Sequence, residues 1–394
     1  MKEQDNNTTR RKFIQQSGVL GAGVLLAGTS KLFSQSNKLN DMSKNIKSKG
    51  YAAKDISGKL SLWEFERRPL GDNDILIETK YSSICHSDIH QERGHWGPQQ
   101  YPQVPGHEIA GIVAAVGKNV TKFKVGDKAG VGCMVNSCME CESCKYGEEH
   151  HCDRNETVLT YGTPDKTSPS AITQGGYSNN LVVTEHFAIK IPDNIELQYA
   201  APLLCAGITT YSPLMRANFK NGDKVGIAGI GGLGHVAIKL AVSKGAEVYA
   251  FTTSASKVKD ILAFGAKEAI VVDTIDKLKP YYGKLDYMLS TIPYDFDVAA
   301  YASVLKPYKE FVQVGMPIKG QLSVNNFLMI RNRAKFSGSL IGGIPETQEV
   351  VDYCAKNKLY PQIQIIKAEE INEAWDKVVN KQARYRYVID AATI

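Results

Sequence analysis

Beyond its first 49 residues, this 394-residue chain has no excess of charge of either sign. Residues 1–49 contain nine of the 47 Lys and Arg residues and three of the 41 Asp and Glu residues, which leaves 38 of each sign in the remainder. Proteins that bind nucleic acid through its phosphates need a strongly basic surface. The neutral remainder offers none, so we exclude nucleic acid as the partner.

The front of the sequence also lacks an apolar run long enough to cross a membrane. Residues 17–28 carry no charge, but this stretch is short and rich in glycine. A membrane-spanning helix needs about 20 predominantly apolar residues. We therefore expect no stable membrane span.

The basic excess of the front segment is concentrated just before that stretch. Arg10 and Arg11 form a twin-arginine pair, and Lys12 and Phe13 follow them. A charged region before a short apolar region is typical of a signal peptide, and the arginine pair indicates the export route that carries folded proteins. We assign residues 1–48 to a twin-arginine signal and linker. The predicted location is the periplasm; the alternative is a disordered basic tail on a cytoplasmic protein.

Potential metal ligands are grouped in the stretch that follows. Cys85, His107 and Glu108 bring a thiol, an imidazole and a carboxylate within two dozen residues, and these are ligand types of catalytic zinc. Cys205, much further along the chain, is the candidate for a fourth ligand. The alternative is that Cys85 and His107 are an ordinary buried thiol and a hydrogen-bonded core histidine.

A second group of thiols lies a little further on, with the spacing C-x2-C-x2-C-x7-C. Four thiolates so spaced predict a closed, tetrahedral structural zinc site. Disulfides are one alternative, and export would favour them; a zinc ribbon for nucleic acid is another, but the acidic residues around the cluster argue against it. The four cysteines are Cys138, Cys141, Cys144 and Cys152.

The hydrophobic pattern changes once along the chain, which predicts two kinds of domain. Residues 51–191 show short period-two runs broken by turn residues, which indicate a small β-barrel or sandwich. From residue 224 strands alternate with helices, which predicts a doubly wound parallel sheet. We place the domains at 49–191, with a zinc lobe at 138–152, and at 192–335; residues 336–394 return to the first domain.

A glycine-rich turn, residues 229–234, follows the first strand of the second domain and opens a helix. This context supports dinucleotide binding, because the glycines let the backbone approach a pyrophosphate at the helix N-terminus. The predicted cofactor-binding residues of the turn are Gly229, Gly231, Gly232, Leu233 and Gly234.

The end of the next strand lacks the acidic residue that would bind the ribose hydroxyls of NAD. The chain instead has Thr252, Thr253 and Ser254, with Lys257 three residues further on. Hydroxyls and a lysine can hold a 2′-phosphate, whereas a carboxylate would repel it. The sequence therefore favours NADP, unless Lys257 is only a solvated lysine at a helix start.

These motifs together resemble those of the zinc-dependent medium-chain alcohol dehydrogenases, and in particular the cinnamyl alcohol dehydrogenase-like branch. The resemblance covers residues 49 to the C-terminus, including the ending at 384–390. It implies an α/β protein with a GroES-like β-barrel catalytic domain and a Rossmann domain. It also implies an NADP(H)-dependent enzyme that interconverts small-molecule alcohols and aldehydes, and we expect a homodimer.

The resemblance assigns roles to the ligands and to two further residues. The resemblance implies that Cys85, His107 and Cys205 hold catalytic zinc. It also implies that Glu108 completes the coordination sphere of the metal when substrate is absent. Ser87 and His90 would form the proton relay. Two rival hypotheses remain: a zinc-free quinone or enoyl reductase of the same architecture, and an exported zinc-binding protein without activity.

Overall fold

The computed structural model describes residues 44–318 and 321–394, so the twin-arginine pair and the stretch at 17–28 lie outside the described residues. The first strand begins at Ile46, so residues 46–48 belong to the fold and not to the predicted linker. Within the two described ranges, every helix is too short or too polar to cross a bilayer.

The first half of the fold is built from strands, as its alternating pattern predicts. β1 and β2 form an antiparallel pair, and β6 and β7 form another. The remaining strands enter a larger sheet in the order β3-β4-β5-β9, and β8 also pairs with β3. The strands are β1 Ile46–Ala53, β2 Leu60–Arg67, β3 Asp74–Ser83, β4 Ile109–Val116, β5 Lys128–Val131, β6 Met134–Asn136, β7 Val158–Leu159, β8 Asn180–Thr184 and β9 Ala188–Lys190.

Four helices accompany these strands: α1 His86–Glu92, α2 Glu142–Lys145, α3 Leu197–Ala200 and α4 Ala206–Arg216. The sequence pattern favours one helix over about 199–215, but the structure divides it. A 3₁₀ turn, Ala201–Leu204, contains Pro202, and Cys205 leaves helical geometry with φ −131° and ψ −65°. Proline lacks an amide hydrogen, so Pro202 cannot donate the backbone hydrogen bond that would continue α3. Cys205 therefore sits at a bend between two helical segments.

The second half contains a six-stranded parallel sheet in the order β12-β11-β10-β13-β14-β15. This is the strand order of a doubly wound dinucleotide-binding fold. Its last strand ends at Gly338, so the predicted boundary at residue 335 falls inside β15. The elements are β10 Lys224–Ala228, α5 Gly234–Ser243, β11 Glu247–Thr252, α6 Val258–Ala263, β12 Glu268–Val271, β13 Leu285–Ser290, α7 Val298–Ala302, β14 Leu305–Gln313, α8 Asn326–Asn332 and β15 Lys335–Gly338.

The C-terminal segment rejoins the first sheet. It comprises α9 Ile344–Asn357, β16 Ile363–Lys367, α10 Ile371–Val379 and β17 Arg386–Asp390. β17 pairs antiparallel with the end of β3 and parallel with β16. The C-terminal strand thus comes to lie beside the residues that lead into α1.

One apolar core joins the two sheets. Ile75 and Ile109 of the first sheet and Val225 and Ile227 of the second are all fully buried in the same cluster, and Ile208 of α4 belongs to it. A shared core of this kind fixes the two halves against each other, because separating them would expose its apolar surface to water.

Candidate active site and metal sites

Cys85 and His107 are brought together by the pairing of β3 with β4. These strands are antiparallel, with Ser82 opposite Ile109, so the end of β3 and the start of β4 lie at the same edge. Cys85 follows β3 and occupies the N-cap position of α1, and His107 lies two residues before β4. Two residues 22 positions apart in sequence therefore meet at one corner of the sheet.

Cys205 completes this corner from the bend before α4. Its Sγ lies 4.0 Å from Cys85 Sγ and 3.2 Å from Nε2 of His107. All three side chains are buried, and so is Glu108. One ligand atom from each of the four residues lies within 4.8 Å of the others. The arrangement gathers all four ligands that the sequence suggests for a catalytic zinc.

The free oxygen of Glu108 supports a cation at this site. One carboxylate oxygen, Oε1, accepts from Arg386, but Oε2 is buried and has no hydrogen-bond partner among the described residues. A buried carboxylate oxygen without a partner is costly, and a metal ion would satisfy it. Two thiols, an imidazole and a carboxylate form a donor set that zinc accepts.

Asp88 holds His107 in place, a role that the sequence analysis does not assign. Its Oδ1 lies 3.0 Å from Nδ1 of His107, and its Oδ2 accepts from the backbone N–H of Cys85 (2.9 Å) and from the hydroxyl of Tyr177 (2.8 Å). A carboxylate on Nδ1 leaves the lone pair of Nε2 free for a metal. The signal for this residue is its position three after Cys85, which matches a capping box at the start of α1.

Arg386 is the second residue that the sequence analysis does not identify. Its side chain is buried, pairs with Glu108 through Nη2 and donates from Nη1 to the carbonyl of Ile84 at 2.8 Å. It also borders the glycine-rich turn, because a Cβ placed on Gly232 would lie 3.0 Å from Nη1. Arg386 thus connects the buried ligand set with the predicted cofactor turn.

The four lobe cysteines form a separate set of ligands. Sγ of Cys138 lies 3.8 Å from that of Cys144, and Sγ of Cys141 lies 3.9 Å from that of Cys152. With zinc–sulfur bonds of about 2.3 Å, tetrahedral geometry requires sulfur–sulfur distances of about 3.8 Å. All four thiols are free, and a disulfide would require about 2.05 Å. The geometry fits a closed zinc site and excludes disulfides in this structure.

The glycine-rich turn has the shape of a phosphate cradle. It follows β10, and α5 begins at Gly234. A Cβ on Gly234 would lie 2.1 Å from the carbonyl oxygen of Gly229, whereas one on Gly231 would meet no atom within 4 Å. Glycine is therefore required at 234 by close packing, and the backbone at 231 stays open for a ligand. The helix N-terminus behind it favours an anion.

The loop after β11 presents hydroxyl groups and no carboxylate in its first turn. Oγ1 of Thr252 accepts from the N–H of Ser254 at 3.2 Å, and Oγ of Ser254 lies 3.0 Å from Oγ of Ser256. Thr253 is exposed. These donors are compatible with a phosphate on the adenosine ribose.

Lys257 is buried and hydrogen-bonded, unlike a solvated lysine at the start of a helix. Its side chain is buried, and Nζ donates to the carbonyl of Ile230 at 2.7 Å, which ties the loop after β11 to the glycine-rich turn. Burial, together with the positive charges of Arg384 and Lys381, lowers the pKa of Lys257 to about 8. The lysine that the sequence predicts to bind phosphate therefore also fastens the two cofactor loops together.

Ser87 and His90 lie one turn apart on α1, beside the buried ligands. The imidazole of His90 stacks on that of His86, with ring centroids 4.6 Å apart, and its Nδ1 lies 2.8 Å from Nδ1 of His95. Burial and the neighbouring histidines lower the pKa of His90 to about 4. His90 is thus a neutral imidazole at physiological pH. The ring of Trp96 lies 5.2 Å from that of His90.

The fold and these sites are those of one protein family, and comparison with known proteins identifies the same family. Residues 71–193 match the family described as "Alcohol dehydrogenase GroES-like domain", and residues 232–356 match "Zinc-binding dehydrogenase". The chain belongs to the zinc-dependent medium-chain alcohol dehydrogenases. The predicted fold, a GroES-like domain with a Rossmann domain, is confirmed.

Within that family the chain is a member of the cinnamyl alcohol dehydrogenase-like branch. It is 45% identical to NADP-dependent alcohol dehydrogenase C 1 of Mycolicibacterium smegmatis, over 87% of this chain and 98% of the relative. A cinnamyl alcohol dehydrogenase of Helicobacter pylori, solved with NADP(H), superposes with a TM-score of 0.84 at 42% identity, covering 89% and 99% of the two chains. One from Sorghum bicolor has a TM-score of 0.85 at 36% identity, covering 88% and 98%.

Proposed function

We propose that this protein is a zinc-dependent oxidoreductase that interconverts alcohols and aldehydes with NADP(H), and that it mainly reduces aldehydes. The observation that carries the proposal is the joining of the four buried ligands to the glycine-rich turn through Arg386. A metal site beside a dinucleotide site suits hydride transfer between the dinucleotide and a substrate held at the metal site. The relatives' names point to the same chemistry.

Each ligand has a defined part in this proposal. Cys85, His107 and Cys205 would hold the catalytic zinc. Asp88 would keep His107 in the tautomer that binds a metal. The carboxylate of Glu108 would face the metal with one oxygen and Arg386 with the other. When bound, zinc supplies Lewis acidity toward the substrate oxygen, and NADP(H) supplies or accepts the hydride. Cys138, Cys141, Cys144 and Cys152 would hold a second, structural zinc, with no open position for substrate.

Proton transfer falls to the residues of α1. The hydroxyl of Ser87 is half-buried on the first turn of α1. We assign it the role of hydrogen-bonding the substrate oxygen and exchanging a proton with it. His90 is neutral and can accept a proton, and the exposed His95, in contact with it through Nδ1, opens a route to solvent. Residues at this spacing on a helix share one face, so the two groups can act in sequence.

The test is the purified full chain, loaded with zinc and assayed for NADPH oxidation against aromatic and aliphatic aldehydes. We expect aldehyde-dependent oxidation and a higher kcat/KM with NADPH than with NADH, since the loop after β11 has no carboxylate to repel a 2′-phosphate. Turnover of quinones or enones without zinc would favour the rival reductase. Two bound zinc ions with no turnover of any kind would favour the non-catalytic alternative.

We further propose that the protein is a homodimer formed through the β15 edge of the six-stranded sheet. Among the described strands, β15 pairs only with β14, which leaves its outer edge open. Phe327 and Ile330 of the adjoining α8 are 70% and 77% exposed, and Leu340 just beyond β15 is 57% exposed. An open strand edge beside exposed apolar side chains favours association with another chain. Sedimentation equilibrium at micromolar concentration should give twice the chain mass, and a monomer would contradict the proposal.

The location we propose is the periplasm, reached by the twin-arginine route. That route moves folded cargo, so the enzyme could take up zinc and cofactor before export. Zinc-bound thiolates would also be protected from the periplasmic oxidant. Fractionation of cells expressing the full chain should find a shortened product in the periplasm. A variant with both Arg10→Lys and Arg11→Lys should remain unshortened in the cytoplasm; the same distribution for both chains would mean that the segment is only a tail.

A further inference from the structure

The loop after β11 receives a cation from the far end of the chain. Arg384 lies between α10 and β17, in the segment that rejoins the first sheet, and its Nη2 donates to Oγ of Ser256 at 2.6 Å. Ser256 is in turn 3.0 Å from Ser254, a predicted cofactor-binding residue. A guanidinium is therefore held against the hydroxyl groups that replace the usual ribose-binding acid.

The nearest acid does not hold Arg384 firmly. Oδ2 of Asp260 lies 3.7 Å from Nε of Arg384, beyond hydrogen-bond distance, and the two side chains are 36% and 40% exposed. The same oxygen already accepts from the hydroxyl of Tyr385 at 2.8 Å. Exposed ion pairs of this kind contribute little, so the guanidinium can be recruited by a more strongly charged anion.

Neighbouring groups extend the same positive surface. The Nζ of Lys257 lies 5.5 Å from the centre of the Tyr385 ring and the guanidinium of Arg384 lies 5.9 Å from it, so one ring contacts both cations. Two cations held close together repel each other unless an anion lies between them. Serine hydroxyls and a guanidinium are groups that bind a phosphate monoester, and guanidinium can do so through two parallel hydrogen bonds.

We propose that Arg384 determines cofactor specificity by binding the 2′-phosphate of NADP(H), together with Ser254, Ser256 and Lys257. This rests on the proposed function, since it assumes that the dinucleotide site takes NADP(H). Arg384 belongs to the segment that carries β17, whereas the hydroxyl groups belong to the Rossmann sheet. The phosphate would therefore be bound by both halves of the protein at once.

The test is the affinity of the zinc-loaded full chain for 2′,5′-ADP and for 5′-ADP, measured by calorimetry in the absence of substrate. In Arg384→Gln the affinity for 2′,5′-ADP should fall about 10- to 100-fold, the range for a hydrogen bond to a charged group. The affinity for 5′-ADP should not change. Arg384→Lys should retain part of the binding, because it keeps the charge but loses the paired donors.

Lys377→Gln is the matched control, because Lys377 is a cation of the same segment that pairs with Glu373 on α10. It should bind both nucleotides as the unmodified protein does. The proposal is overturned if Arg384→Gln binds 2′,5′-ADP normally, or if it loses both nucleotides equally, which would indicate a structural role. If the unmodified chain does not prefer 2′,5′-ADP to 5′-ADP, the assignment of NADP fails instead.

Discussion

Replacing Cys205 with serine should lower kcat/KM for aldehyde reduction by about 10³-fold or more, because the Lewis acid contributes several kcal/mol to the transition state. A serine hydroxyl is a poor substitute for a thiolate ligand at neutral pH. Bound zinc should therefore fall from two ions per chain to one. The fold should be retained, because Cys205 lies at a bend whose geometry is set by the 3₁₀ turn before it.

The corresponding substitution in the zinc lobe should lower stability rather than activity. Cys141→Ser should also remove one zinc, but it would break a closed site whose binding energy contributes to folding. We expect a loss of stability on the order of 4 kcal/mol, the scale of the largest single-site effects, with activity retained in the fraction that stays folded.

Cys354→Ser is the control for the loss of a buried thiol alone. Cys354 is 1% exposed in α9 and belongs to neither ligand set, so both zinc ions should remain. Metal content is measured by atomic absorption and stability by thermal unfolding. One zinc ion in the unmodified protein, or a disulfide among the lobe cysteines, would refute the two-site proposal.

Ser87→Ala should reduce kcat by about 10²- to 10⁴-fold, the contribution of a positioned acid–base group. The hydroxyl is half-buried on the first turn of α1 and is not engaged by another described side chain, so its removal should leave the fold and both metal sites intact. Steady-state kinetics gives the effect on kcat, and zinc analysis verifies that the metal sites are unchanged.

Ser87→Thr is the informative companion, because it keeps a hydroxyl at the same atom position. It should retain most of the activity, apart from the cost of fitting one methyl group. If Ser87→Ala were as active as Ser87→Thr, the proton would have to reach the substrate through water. The role proposed for Ser87 would then be wrong.

The fold was predictable because its patterns are local. The strand–helix alternation from residue 224 predicts a parallel sheet, and the structure contains it as β10 to β15. The glycine turn at 229–234 was placed correctly between β10 and α5 for the same reason. The break at Cys205 was missed, because a helical period continues on both sides of it and only Pro202 indicates the turn.

The candidate ligands can be picked out of the sequence from their chemistry, but the residues that support them cannot. Asp88 and Arg386 are ordinary charged residues in sequence, and their roles depend on what the fold places beside them. Arg386 is 278 residues away from Glu108, its partner. The contact of Lys257 with Ile230 likewise depends on the approach of two loops. Such long-range pairings follow from the sheet topology and leave no periodic signal in the chain.

The position of Arg386 predicts that metal binding and cofactor binding are thermodynamically linked. One of its nitrogens pairs with Glu108, and the other borders the glycine-rich turn at Gly232. If cofactor binding shifts this side chain, it changes the charge that Glu108 presents to the metal. Linkage then requires that zinc alter the affinity for the cofactor by the same factor by which the cofactor alters the affinity for zinc. A chain that loses its catalytic zinc would therefore also bind its dinucleotide with altered affinity.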